Sequence, residues 1–340
     1  MLVWWWWRVA AAGTVLAGVL SQNVTLTSTS LVNQFLLSPL AVVRLENSNC
    51  DADLGRTGTC LTLFECYARG GVKTNLCGNG FGVCCLIVAK ENGVSYGNNT
   101  LILKDKFDSG VDITYTIRRL MPSICQIRLD VRRLYLYRPE NNGKCETDYM
   151  TINQDDKIGK ICGLTENIHF YLDVTSEVVF TFHTSAGVSF TRDWEIYVQQ
   201  LMCDFMSTNA PQGCGQWYWG TSGTIDIWNN VDPTTADWYY LNDQSYAICV
   251  RWEAGYCSIS YTESLQFRPF CSDLFERPFT TTLLRTCDTS PPTSITPLTY
   301  TVTEGLQEFF VGFKDGSNLH QGSPGLPFQN PSIMYVQNQC

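Results

Sequence analysis

Six cysteines crowd between Cys50 and Cys85 in the spacing C-x9-C-x5-C-x10-C-x6-C-C, and they constrain this chain more than any other feature. Little apolar sequence lies among them, so a conventional core is not available and covalent crosslinks must hold the fold. Each disulfide closing a loop of this size contributes about 2–4 kcal/mol, chiefly by restricting the unfolded chain. The whole chain has 340 residues and 16 cysteines, an even number, and such a set persists as disulfides only in oxidising surroundings. Zinc would need C-x2-C or Cys/His pairs at ligand spacing. The chain has none, and its histidines are His169, His183 and His320 alone.

The start of the sequence agrees with export. Arg8 follows four tryptophans, and Val9 to Leu20 is an apolar run of signal-peptide length that Ser21, Gln22 and Asn23 end too early for a membrane span. Residues 1–22 are therefore read as a signal peptide and the rest as secreted and extracellular, with no membrane span. Residues 23–49, rich in Ser, Thr, Leu, Val and Asn, read as an extended lead-in.

Charge divides the remainder. Residues 95–203 carry 12 Lys and Arg against 14 Asp and Glu, whereas residues 204–340 carry 5 against 13. The net charge of −9 argues against nucleic acid, whose phosphates demand a basic surface. The division expected is a disulfide module at 50–88 and two β domains at 95–203 and 204–340.

In the first module, Gly58-Thr59-Cys60, Glu65-Cys66, Cys77 and Gly80-Phe81-Gly82-Val83-Cys84-Cys85 resemble the clip-type domains of arthropod extracellular proteins. The resemblance implies Cys50–Cys84, Cys60–Cys77 and Cys66–Cys85. The spacing itself leaves all fifteen connectivities of six cysteines open.

Beyond Val88 short alternating runs separated by turn residues read as antiparallel sandwich strands: 113–117, 125–131, 134–137, 170–174, 178–182 and 194–198. The pattern then repeats. Ile196-Tyr197-Val198-Gln199 before Cys203 matches Met334-Tyr335-Val336-Gln337 before Cys340, and Cys125-Gln126-Ile127 matches Cys257-Ser258-Ile259. Cys145 and Cys162 correspond to Cys271 and Cys287. Cys214 and Cys249 are both without counterparts in the first copy, as two halves of one disulfide would be. The pairing that follows is Cys145–Cys162, Cys271–Cys287, Cys214–Cys249, Cys125–Cys203 and Cys257–Cys340.

Cys145-Glu146-Thr147-Asp148-Tyr149 and Ile161-Cys162-Gly163 resemble the C-x-x-D strand and closing Cys-Gly of CUB domains, compact sandwiches of two antiparallel sheets. The second copy keeps less of this, in Phe270-Cys271-Ser272-Asp273 and Thr286-Cys287-Asp288. The fold class is thus mainly β, a clip-like module followed by two CUB-like sandwiches. Many CUB domains bind calcium through an acidic cluster. Here Asp148 matches one carboxylate, but Tyr137 stands where a glutamate belongs and His183-Thr184-Ser185-Ala186-Gly187 offers no aspartate. One carboxylate does not hold a cation wanting six to eight oxygens, so no metal or other cofactor is expected, at Asp148 or at Asp273.

No catalytic residues are expected either. Residues 89–340 contain no Gly-Asp-Ser-Gly stretch, Pro324 follows Ser323 where an oxyanion-hole donor belongs, and Asp155-Asp156 sits in a turn with Lys157 and Lys160. Binding remains. The aromatic run Trp217, Tyr218, Trp219, Trp228, Trp238, Tyr239, Tyr240 and Trp252 supplies either core or contact surface. Arg118, Arg119, Arg128, Arg132 and Arg133 form either a surface for an acidic partner or an ordinary solvated face. Asn98-Asn99-Thr100 and Asn23-Val24-Thr25 are glycosylation sequons. The expectation is a secreted, non-catalytic protein that binds an extracellular protein or glycan through its CUB-like domains, the alternative a non-catalytic regulator of an extracellular serine protease cascade.

Overall fold

A computed structural model of the chain describes residues 24–26, 43–108, 110–140, 143–153, 158–203, 208–230, 241, 244–263, 275–276, 299–302, 308–315 and 332–340. It divides into two compact units, Met1–Val88 and Ala89–Cys340. No helix among the described residues is long and apolar enough to cross a membrane.

In the first unit, β1 (Val24–Leu26) pairs antiparallel with β2 (Val43–Leu45). The strands β3 (Asn49–Asp51), β4 (Thr57–Leu61), β5 (Val72–Cys77) and β6 (Gly82–Val88) form one antiparallel sheet in the order β3-β4-β6-β5. A short helix, α1 (Leu63–Ala68), bridges β4 and β5. It starts at Thr62, whose Oγ1 accepts from Glu65 N at 3.1 Å, and Thr62-x-x-Glu65 is a capping-box sequence. The core is small, namely Leu61, Cys66, Val83, Cys85 and Ile87. Three disulfides frame it, Cys50–Cys84, Cys60–Cys77 and Cys66–Cys85. Gly71 and Gly82 lie so close to the sulfurs of Cys85, and of Cys60 and Cys77, that a Cβ at either position would press on the crosslinks.

The second unit holds two sandwiches of identical strand order. The first comprises β7 (Gly93–Ser95), β8 (Thr100–Phe107), β9 (Asp112–Ile117), β10 (Ile124–Tyr135), β11 (Tyr149–Ile152), β12 (Leu164–Asp173), β13 (Val178–His183) and β14 (Arg192–Met202). Its sheets run β12-β10-β14-β8 and β11-β13-β9-β7. The second comprises β15 (Cys214–Tyr218), β16 (Ser222–Asp226), β17 (Gln244–Arg251), β18 (Tyr256–Glu263), β19 (Phe275–Glu276), β20 (Thr299–Val302), β21 (Glu308–Asp315) and β22 (Ser332–Gln339), with sheets β20-β18-β22-β16 and β19-β21-β17-β15. Even the parallel pair recurs: β7 with β9, β15 with β17. The runs 125–131 and 134–137 belong mostly to one long strand, β10, which keeps its partner β14 through a register shift between Val131 and Arg133.

Alternation places the core. On β13, Val178, Phe180 and Phe182 point inward, and on β9 Ile113, Tyr115 and Ile117 do so. They meet Trp194, which stacks on Phe182 at 4.2 Å between ring centroids. Each sandwich also buries one glutamine in the same role. Gln200 Oε1 accepts from Leu120 N, and its Nε2 donates to Gly97 O and Arg118 O. Gln337 Oε1 accepts from Glu253 N, and its Nε2 donates to Gly220 O and Arg251 O. The true equivalent of Gln337 is therefore Gln200, one residue beyond the Gln199 that matching the sequences selects.

Candidate functional site

The two sandwiches meet along β12, whose outer edge would otherwise expose unpaired backbone groups. Segment 227–230 covers that edge. Asn229 Oδ1 accepts from Leu164 N at 3.0 Å, and Asn229 N donates to Thr165 Oγ1 at 2.8 Å. Asn230 Oδ1 accepts from Glu166 N, and its Nδ2 donates to Glu166 O, both at 2.8 Å. Further along, Gln126 reads the backbone of Ala210 in the same way, accepting from its N–H at 2.8 Å and donating to its carbonyl at 3.1 Å. Behind these amides Phe170 packs edge-on to Tyr246 at 5.0 Å and against Trp228 at 5.7 Å, in one continuous apolar cluster spanning both sandwiches. The approach is close enough that a Cβ on Gly163 would collide with the Asn229 amide, and one on Gly215 with the Phe170 ring.

The aromatic run therefore has a structural use. Trp217 and Trp228 are 7% and 2% exposed, both at this junction, whereas Trp219 is 51% exposed. Trp238, Tyr239 and Tyr240 lie outside the described residues. His169 is held at the junction, its Nε2 2.9 Å from Trp217 O and its ring 4.6 Å from that of Tyr218. Burial, and then the neighbouring Arg128 charge, push its pKa from 6.5 down to about 4.

The arginines do not form an open basic surface. Arg118 pairs with Glu177, Arg128 with Asp130, and Arg133 with both Asp193 and Glu195 at 2.5 Å. Arg119 donates to the carbonyls of Thr175 and Pro122. Arg132 is exposed and lies over the Tyr197 ring. Asp130 stands two residues from Arg128 on the same strand, whereas Asp193 and Glu195 reach Arg133 from β14, which the sequence does not display beside it.

At one end of the first sandwich Asp148 and Arg192 form an ion pair that is fully buried on both sides. Asp148 Oδ2 and Oδ1 accept from Arg192 Nε at 2.7 Å and Nη2 at 3.0 Å, and also from Tyr137 N at 3.0 Å and Ser185 N at 2.9 Å. Asp148 thus already has a cation, an arginine from β14 that the sequence did not single out. Asp273 lies outside the described residues.

Among the described residues of the second unit the disulfides are Cys145–Cys162, Cys214–Cys249 and Cys257–Cys340. Cys271 and Cys287 lie outside the described residues, as do Asn23, Asp155, Asp156, Ser323 and the 1–22 segment. The expected Cys125–Cys203 bond is a correction: the structure does not form it. The register of β10 on β14 shifts between Ile124 and Gln126, which leaves Cys125 on the bulge, while Cys203 N donates to Ser123 O and so lies opposite a different residue. Asn98 is half-buried, and its Oδ1 accepts from Gln200 N at 2.7 Å.

Residues 211–318 match the family model described as the animal CUB domain. The match covers most of the second sandwich. No curated protein matches the chain significantly. Among solved structures, the CUB1-EGF-CUB2 domains of rat MASP-1 align at 13% identity with a TM-score of 0.28, covering 72% of this chain and 99% of that one. The CUB1-EGF-CUB2 domain of human MASP-1/3 aligns at 14% identity with a TM-score of 0.26, covering 71% and 100%.

Proposed function

We propose that this chain is a secreted, non-catalytic interaction protein that binds an extracellular protein through its N-terminal disulfide unit. The observation that carries the reading is the surface of that unit. Leu54 and Phe64 are 87% and 84% exposed, and Tyr67, Val72, Leu76 and Phe81 are exposed as well. The small core leaves all of them unused. Charge does not oppose an apolar contact there, because Arg44, Arg56, Arg69 and Lys73 balance Glu46, Asp51, Asp53 and Glu65. Single exposed apolar side chains are ordinary, whereas several on one small module are characteristic of contact surfaces. The CUB-domain match supports the class, since such domains are typically extracellular interaction modules.

The test places a photo-crosslinking residue at Phe64 in the secreted full-length protein and exposes it to the extracellular fluid of its source. A discrete crosslinked partner, lost on Leu76→Ser in a still-folded protein, supports the reading. Labelling indistinguishable from that at a site on the second sandwich would overturn it.

A second reading has its own observation. The first unit's disulfides join its cysteines first to fifth, second to fourth and third to sixth, the pattern of the clip-type modules it resembles. On this reading the module docks a protease or its precursor, and the protein regulates an extracellular cascade. Adding it to a reconstituted cascade then changes the rate of zymogen activation, and an unchanged rate rejects this reading alone. Asn98 is the proposed glycan site, checked by loss of an endoglycosidase-sensitive mass shift in Asn98→Gln.

A further inference from the structure

The residues at the Asp148 end do not fit the calcium that many CUB domains hold, and the reason lies in what replaces it. Five oxygens converge there: both carboxylate oxygens of Asp148 and the carbonyl oxygens of Asp108, Ser185 and Phe190. All five accept from the guanidinium of Arg192, at 2.7 to 3.2 Å. A guanidinium has five N–H donors in a planar fork, so its whole donor set is used. A divalent ion would bring two positive charges to the same oxygens, beside the fixed charge of Arg192 and against one carboxylate.

We infer that Arg192 is a built-in counter-ion that takes the place of an exchangeable cation and fixes this end of the first sandwich at any calcium concentration. The contacts tie together the β8–β9 connection through Asp108, the β10–β11 connection through Tyr137 and Asp148, and the β13–β14 connection through Ser185 and Phe190. Unlike a bound ion, the guanidinium is covalently part of the chain and cannot be diluted away or chelated. Its removal leaves Asp148 buried and uncompensated, the costliest way to break such a pair. The inference does not depend on which partner the protein binds.

Full-length protein is compared in millimolar calcium and in chelator by thermal unfolding and by amide hydrogen exchange. Wild type unfolds at the same temperature in both. Arg192→Ala unfolds about 10 °C lower and loses exchange protection at Tyr137 and Ser185, the amides that bond Asp148. Methylguanidinium, which returns a planar cation with the same donor fork to the five oxygens, restores part of that protection. If Arg192→Ala does not fold, Arg192→Lys, which keeps the charge but not the fork, shows the same losses in smaller measure. A wild-type unfolding temperature that rises with calcium overturns the inference. So does protection at Tyr137 and Ser185 that survives the substitution. Failure of methylguanidinium to rescue it would assign the loss to a cavity rather than to a missing charge, and would overturn it equally.

Discussion

Asn230 grips Glu166 from both sides of its peptide backbone, accepting from the N–H and donating to the carbonyl with one side-chain amide at 2.8 Å each. This is the exchange that a neighbouring strand would make, performed by a side chain across the junction between two sandwiches. Asn230→Leu removes both bonds and leaves Glu166 N and O facing an apolar group. The expected loss is about 2 kcal/mol, from the desolvation cost of unsatisfied backbone groups. Urea unfolding followed by intrinsic fluorescence measures it, and a change within about 0.5 kcal/mol, the range of ordinary surface substitutions, would contradict it.

Gly163 is required for two independent reasons. Its φ of +79° lies in the left-handed region, and a Cβ there would run into the Asn229 side chain. Gly163→Ala combines backbone strain with loss of the junction's first hydrogen bond and costs about 2–4 kcal/mol. Gly213, also at positive φ but with open space around it, serves as the control. Gly213→Ala shows the strain alone, and equal losses at the two glycines would remove the junction from the explanation.

Much of this architecture is legible in the sequence, and what is hidden is hidden for physical reasons. Alternation in 113–117 and 178–182 gives two core strands, because a half-buried strand must alternate. The shared end motif before Cys203 and Cys340 exposes the repeat. Its register comes out one residue off because Gln199 resembles Gln337 in sequence, while only the hydrogen bonds identify Gln200 as its equivalent. The cap of α1 at Thr62 and Glu65 is written locally and was available. The Asp148 partner was not, since Arg192 lies on another strand far along the chain and no spacing rule links the two. The same holds for the aromatic run. Alternation cannot say that Trp217 and Trp228 bury against a neighbouring sandwich rather than inside their own. The Cys125–Cys203 expectation fails because the bulge at β10 is invisible in the composition of its residues.

Acid weakens the junction through His169. Its folded pKa of about 4 lies below the ordinary 6.5, so between these values the unfolded chain binds a proton that the folded chain does not. Stability is therefore full above pH 6.5, falls as the pH drops toward 4, and levels off below. The loss amounts to roughly 3 kcal/mol at about 1.4 kcal/mol per pH unit. His169→Gln flattens this part of the stability profile. A profile unchanged by that substitution would place the acid sensitivity elsewhere.

The first unit depends on its crosslinks because its core is so small. Both sulfurs of Cys66–Cys85 are buried beside Leu61 and Ile87. The double substitution Cys66→Ala with Cys85→Ala is expected to cost about 2–4 kcal/mol and to open 43–88 to limited proteolysis while the sandwiches remain intact. Resistance of that segment equal to wild type would show that the unit has more core than its contacts indicate.

Amide hydrogen exchange at Leu164 and Glu166 of the full-length protein tests most directly whether the two sandwiches form one body. Both amides lie on the outer edge of β12 and are bonded by side chains of Asn229 and Asn230. If the junction holds in solution, they exchange as slowly as the core amides of β10, through global unfolding alone. Exchange orders of magnitude faster than that of Ile127 or Leu129, with the rest of β12 protected, would mean that the edge is open and that the sandwiches are separate bodies.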